Sequence, residues 1–395
     1  MSAATELIVE QARPRAISLR WIINAREDLV WFIASVASSY ALLILYVTGA
    51  VPLLPMVAAW AILIDAPHVF GTFSRTYFDR SEWHSRKRLL LGSLLFFVIG
   101  PIAVISGLGL VFFFIAALWA YYHLVKQHYG FMVLYKKKNG DLAPLDNALD
   151  RLLLMFAFNY PFVAFIVKDA EAMARVPAAL HHGLSVLATL LLAGTIVLGV
   201  AWAARQIQRA VLGLPLNVPK YLLLAAAIPM HWIVLLTPMP HKPIAIVAIL
   251  TIYHNFQYHR LIWFHNKKYA NKPSSASERG SSPIRREGVS TNFGMQPSEN
   301  QSAPREKYGP AALISRRLLY YIAFGIVFGL LYQGPRQFLG YLSLKSGSGL
   351  VTEQSFATQL AISFLWGYAL IHYYLDSKIW RVRRDPSVGK ALNMS

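Results

Sequence analysis

Ten stretches of the chain are long and apolar enough to enter a lipid bilayer as helices, and nothing else in the sequence constrains the fold as strongly. A spanning helix needs about 20 mostly apolar residues. The runs 29–50, 52–73, 88–105, 107–125, 149–167, 180–203, 220–237, 243–264, 314–334 and 356–376 approach or meet that length. The prediction is an all-α integral membrane protein, a bundle of about ten transmembrane helices, because backbone polar groups in lipid must be satisfied within the chain. Only 14% of residues are charged and 56% are hydrophobic, whereas soluble domains carry about 25% charged residues. The third and fourth runs are one apolar stretch over 89–125, divided at Gly100-Pro101 and Gly107. Residues 1–28 contain Glu6, Glu10 and Arg13 and lack the apolar core and cleavage site of a signal peptide.

The net charge of +19 would suggest nucleic acid if the charges were clustered on a soluble surface. They are instead sorted by loop. With both termini cytoplasmic, 33 of the 38 Lys and Arg residues fall on the inner side, as the positive-inside rule requires. The charge is then a topology signal plus attraction to anionic membrane lipid, and no nucleic-acid partner is needed. A bacterial inner membrane fits this pattern. Residues 1–28 form a cytoplasmic segment, 29–268 an eight-span core, 269–312 a linker, 313–380 two final spans and 381–395 a cytoplasmic tail. The Ser- and Pro-rich composition of 271–311 predicts disorder there. No internal repeat is visible. There is no cysteine, which excludes disulfides, thiolate zinc sites and iron–sulfur clusters.

Histidines recur at the ends of four even-numbered spans. His68 follows Asp65-Ala66-Pro67, His123 and His128 follow Tyr121-Tyr122, His254 and His259 flank Tyr258, and His372 precedes Tyr373 and Asp376. In the predicted topology all four runs lie at one depth, near the cytoplasmic interface. Ionisable residues within spans usually face a bundle interior. His68, His123, His254 and His372 are the expected metal ligands. Asp65 and Asp376, three and four residues from a histidine on the same helical face, are ligands or outer acceptors that fix an imidazole tautomer. Imidazoles mixed with carboxylates suit Fe(II), with copper, zinc or manganese as alternatives. Tyr122, Tyr258 and Tyr373 are placed to donate hydrogen bonds or protons.

The remaining polar residues have plainer explanations. His84, His128 and His265 suit headgroup contact at the interface, although His128 and His265 could with His259 supply a second metal instead. Arg75 reads as a topology anchor, and Asp376 beside Lys378 would serve equally to end a helix. His181 and His182 read as interfacial. His231, mid-span, would hydrogen-bond a neighbouring helix, out of reach of the inner histidines.

The order Pro67-His68-Val69-Phe70-Gly71, then His123, then His254 with His259, then His372 with Asp376 resembles the bacterial Brp/Blh-type membrane dioxygenases that cleave β-carotene to retinal. The likeness covers short runs on four spans. It implies an iron-dependent dioxygenase with His68, His123, His254 and His259 as ligands, although the third motif spaces its histidines five apart where that family has four. The expectation is therefore a membrane-embedded non-haem metal oxygenase. Its partners would be a lipophilic isoprenoid or acyl chain, dioxygen and a soluble electron donor at the cytoplasmic face. A transporter for a metal ion or proton-coupled solute would use the same groups as a relay, and a haem-binding electron-transfer protein would use paired histidines as axial ligands.

Overall fold

The computed structural model describes residues 17–269, 307–345 and 354–380, together with 388, 389, 392 and 394. Most of the linker expected over 269–312 and of the tail expected over 381–395 lies outside the described residues, as does residues 1–16 of the N-terminal segment. All ten predicted runs fall on long helices. These are α1 (Ala25–Val47), α2 (Leu53–Thr76), α3 (Arg80–Ile105), α4 (Gly109–Lys138), α5 (Pro144–Lys168), α6 (Ala178–Val211) and α7 (Val218–Leu236). They continue with α8 (Lys242–His265), α9 (Leu318–Lys345) and α10 (Phe356–Ile379). Gly107, at φ 74°, turns the chain between α3 and α4, while Gly100-Pro101 stays inside α3.

Among the described residues, eight helices are long and apolar enough to cross a membrane: α1 to α7 and the Leu318–Leu342 part of α9. The chain thus has the character of a multi-pass membrane protein. α8 and α10 have the length but fall short in apolarity, because His, Asn, Gln, Tyr and Asp residues concentrate on them.

The chain divides into two compact units. The first comprises residues up to Val47 and Tyr121–His254; the second comprises Thr48–Ala120 and the residues from Asn255 onward. In the first unit α5 packs against α6 and α7. Its N-terminal segment is tied down by a two-residue parallel pairing of Ile17 and Ser18 with Leu216 and Asn217. The buried Asp28 carboxylate then accepts the Ile22 and Ile23 amides at 2.6 and 3.0 Å.

The same unit buries six charges that loop counting treats as scattered, with the half-buried Arg205 at their edge. Lys220 Nζ donates to Asp141 at 2.8 Å and to Asp150 at 3.0 Å. Lys136 also pairs with Asp150. Arg209 joins Asp141 at 2.6 Å to Asp146 at 2.8 Å, and Arg205 meets Asp146 at 2.8 Å. Trp202 Nε1 donates to the remaining Asp150 oxygen at 2.7 Å. Lys136, Arg209 and Lys220, counted among the inner-side cations, are therefore interior groups. Asp141 lies between α4 and α5. Burial alone would raise its pKa, but Lys220 first, then Lys136 and Arg209, hold the carboxyl down at about 2.

In the second unit α9 lies against α2, and α10 against α3. Close approach to α2 depends on two glycines one turn apart on α9. A Cβ on Gly325 would stand 2.7 Å from the Pro67 Cβ, and one on Gly329 would stand 2.4 Å from the Ile62 carbonyl oxygen. Small residues at this spacing let membrane helices pack backbone to backbone. Gly329→Ala should lower stability by about 1–3 kcal/mol, despite alanine's better helix propensity. Gly334→Ala, where the added methyl meets open space, should be neutral or stabilising. Melting of the two variants in detergent checks both; equal melting temperatures would remove the packing role of Gly329.

Candidate metal centre

In the second unit the site is built on α2, α8 and α10. The backbone of α2 widens into a π-helical stretch over Ala61–Asp65 just before Pro67. Proline has no N–H and its ring crowds the carbonyl one turn back; the wider turn absorbs that conflict. From there His68, Thr72 and Arg75 follow at helical spacing on one face, all buried.

His68 Nε2 and His372 Nε2 lie 2.9 Å apart, and both rings are at most 2% exposed. Behind His372, Thr72 Oγ1 lies 2.7 Å from Nδ1 and donates to Asp376 Oδ1 at 2.6 Å. Tyr258 donates to the same carboxylate oxygen at 2.9 Å. A threonine hydroxyl has one proton. With it given to Asp376, Thr72 can only accept from His372, so the His372 proton sits on Nδ1 and its Nε2 presents a lone pair. One proton, on His68 Nε2, then joins the two rings. Two nitrogen ligands in adjacent positions on one ion, at about 2.1 Å each, would stand about 3 Å apart. The observed separation meets that requirement, and a cation would replace the shared proton.

Asp376 thus stands behind an imidazole as an outer acceptor. Asp65, at the end of the π-helical stretch, accepts from Asn255 Nδ2 at 3.2 Å and Gln333 Nε2 at 3.1 Å. Both nitrogens of His259 face oxygens: Nε2 lies 3.0 Å from the Ile64 carbonyl and Nδ1 3.3 Å from Tyr321 OH. Tyr258 is central, its ring 4.4 Å from that of His68. Tyr373 packs edge-on to His372 at 5.5 Å.

Arg75 departs from its expected role as an interfacial anchor. It is 1% exposed, stacks over Trp380 at 3.9 Å and donates to the Ile379 carbonyl at 2.9 Å. The helix C-terminus leaves that carbonyl without an intrahelical partner, which is why a cation is tolerated here. His265, expected in headgroups, is buried 5.6 Å from Trp380. Just beyond α8, burial first and then the Arg75 charge hold Lys268 below the ordinary lysine range, with Asp79 at 3.3 Å in partial compensation. His84 is exposed, as expected.

The first unit holds another pair. His123 and His254 are buried, with ring centroids 5.2 Å apart and planes at 81°. Gln127 Nε2 donates to the His254 carbonyl at 2.8 Å. Tyr122, expected near the site, is 55% exposed, while its neighbour Tyr121 is buried and donates to the Phe158 carbonyl. Adjacent helical residues point about 100° apart, and here the rotation of α4 turns Tyr121 inward and Tyr122 outward. His128 and His231 are both fully buried, with centroids 5.4 Å apart, whereas the sequence suggested headgroup contact or a second metal for the first and a hydrogen bond to a neighbouring helix for the second.

Thr72 escaped sequence reading, because threonine is common filler in apolar helices. Its one available signal was position: it lies one turn from His68, as Asp376 lies one turn from His372. No protein-family model matches the chain, and no curated protein or solved structure matches it.

Proposed function

We propose that the chain is a membrane-embedded non-haem metal oxygenase acting on a lipophilic substrate, with iron held at the His68–His372 pair. The observation that carries this is the 2.9 Å approach of two buried Nε2 atoms, one of them with its tautomer fixed from behind. When bound, a metal there would supply redox chemistry with dioxygen at its open positions. The side chains supply the rest. Thr72 and Asp376 hold the His372 ring in orientation. Tyr258 keeps a hydroxyl proton between Asp376 and Thr72, 2.9 and 2.7 Å away, where it can serve proton transfer. The buried apolar residues around the pair, Val69, Phe70, Ile371 and Leu375 among them, suit an isoprenoid or acyl chain and exclude water. His123 and His254, both buried with ring centroids 5.2 Å apart, are assigned to metal on their burial and proximity. The separation of the first pair favours neighbouring positions on one ion over opposite faces of a haem. Within this proposal the protein sits in a bacterial cytoplasmic membrane with both termini inside, on the strength of the Lys and Arg distribution.

Elemental analysis and a visible spectrum of the detergent-purified protein test the proposal. Iron without a Soret band is expected; a Soret band, or purified protein that takes up no iron on anaerobic reconstitution, would overturn it. Thr72→Val keeps the shape and removes the acceptor of the His372 proton. It should weaken iron binding by about 10–100-fold, as removal of outer partners of metal-bound histidines does, and lower stability by about 1–3 kcal/mol through the buried groups it leaves unpaired. Undiminished affinity would show that Thr72 does not set the tautomer.

A further inference from the structure

The first unit buries two imidazoles that the proposed iron centre does not use. His128 on α4 and His231 on α7 are both 0% exposed. His128 Nδ1 lies 3.0 Å from the Leu124 carbonyl, and His231 Nδ1 lies 2.8 Å from the Ala227 carbonyl. A carbonyl can only accept, so both Nδ1 atoms carry the proton and both Nε2 atoms carry a lone pair. Each Nε2 is buried without a hydrogen-bond partner among the described residues. An acceptor left bare in an apolar interior costs free energy, and here there are two, on facing rings.

Their geometry suits one shared ion. Two imidazoles bound through Nε2 at about 2.0–2.1 Å can have centroids at most about 6.5 Å apart. The His128 and His231 rings are 5.4 Å apart and nearly perpendicular. His254 stands farther off, 6.5 Å from His128, and is closer to His123 at 5.2 Å, so it is grouped with His123 and this site is built on two imidazoles. Phe158, stacked on His231 at 3.9 Å, and Tyr253, 5.4 Å from His128, close the surroundings. Neither ring has a carboxylate partner among the described residues.

These features choose the ion. The cost of burying charge rises with its square, and no anion is present to offset a dication. Zinc and ferrous iron are favoured where a carboxylate stands close to the imidazoles, as Asp376 does behind His372, and no carboxylate partners His128 or His231 among the described residues. A monovalent d¹⁰ ion is content with two neutral nitrogens. We propose that His128 and His231 form a separate buried site for monovalent copper.

The test is anaerobic titration of Cu(I) into the purified full-length protein against a chromophoric Cu(I) chelator, with copper counted by elemental analysis. Wild type should hold one Cu(I) through this pair. His231→Phe, which can keep the stack on Phe158, and His128→Leu should each abolish that uptake. His372→Ala should retain it while losing iron, so failure of the copper site and failure of the iron centre are told apart. X-ray absorption of the wild-type Cu(I) protein should show a two-nitrogen shell, which keeps the idea testable if the variants do not fold. Unchanged uptake in both histidine variants, a shell of three or more ligands, or preferential binding of Zn(II) at the pair would each overturn it.

Discussion

His372→Ala should reduce the iron content of the purified protein from stoichiometric to background and abolish oxygen-dependent turnover. His372 is fully buried, and three side chains behind it, Thr72, Asp376 and Tyr258, are arranged around its Nδ1 side. Its removal takes away one of the two nitrogens at the pair and leaves those groups facing a cavity. Loss of outer partners alone typically costs about 10–100-fold in metal affinity, and loss of a ligand should cost more. His68→Ala should do the same, and neither effect should add to the other once the metal is gone. His84→Ala, altering an exposed ring hydrogen-bonded to the Arg80 carbonyl, should leave iron content unchanged. Size-exclusion profiles and melting separate metal loss from unfolding. Full iron loading in a folded double variant of His68 and His372 would remove the proposed centre.

The helices were legible because burial in lipid writes itself into long apolar runs, which need no partner to be recognised. Their ends were legible where a single residue decides, as at Gly107. The helices that carry the histidines were legible too. Rotation and neighbourhood were not. Nothing local distinguishes Tyr121 from Tyr122, and only the packing of α4 shows which one faces inward. Nor does sequence show that His231 finds His128, or that Arg75 folds under Trp380, because each depends on which helices become neighbours. The charges were the most misleading. Lys136, Arg209 and Lys220 obey a loop-charge rule that is true on average, yet in this chain they also meet three aspartates in the interior.

That interior network should make Lys220→Met among the most destabilising single changes in the protein. Lys220 is 0% exposed and, among the described residues, is the one cation that touches both Asp141 and Asp150 at 3.0 Å or less. Removing one partner of a buried pair typically costs about 3–5 kcal/mol, because the other charge stays buried. Replacing the partners together with apolar residues can be nearly neutral, so Lys220→Met combined with Asp150→Leu should recover part of the loss. Asp141 gives the pH dependence. Its carboxyl, ordinarily at 3.8, is held at about 2 in the folded protein, so the unfolded chain binds its proton first as pH falls. The stability it contributes is complete above pH 4 and is lost as pH falls toward 2. In Lys220→Met the largest of the charges holding that carboxyl down is gone, and the loss should begin at a higher pH. Melting temperature followed from pH 7 down to pH 3 in wild type and variant reads this directly. Parallel curves, offset by a constant, would mean that Lys220 stabilises by packing alone and that its charge does not act on Asp141.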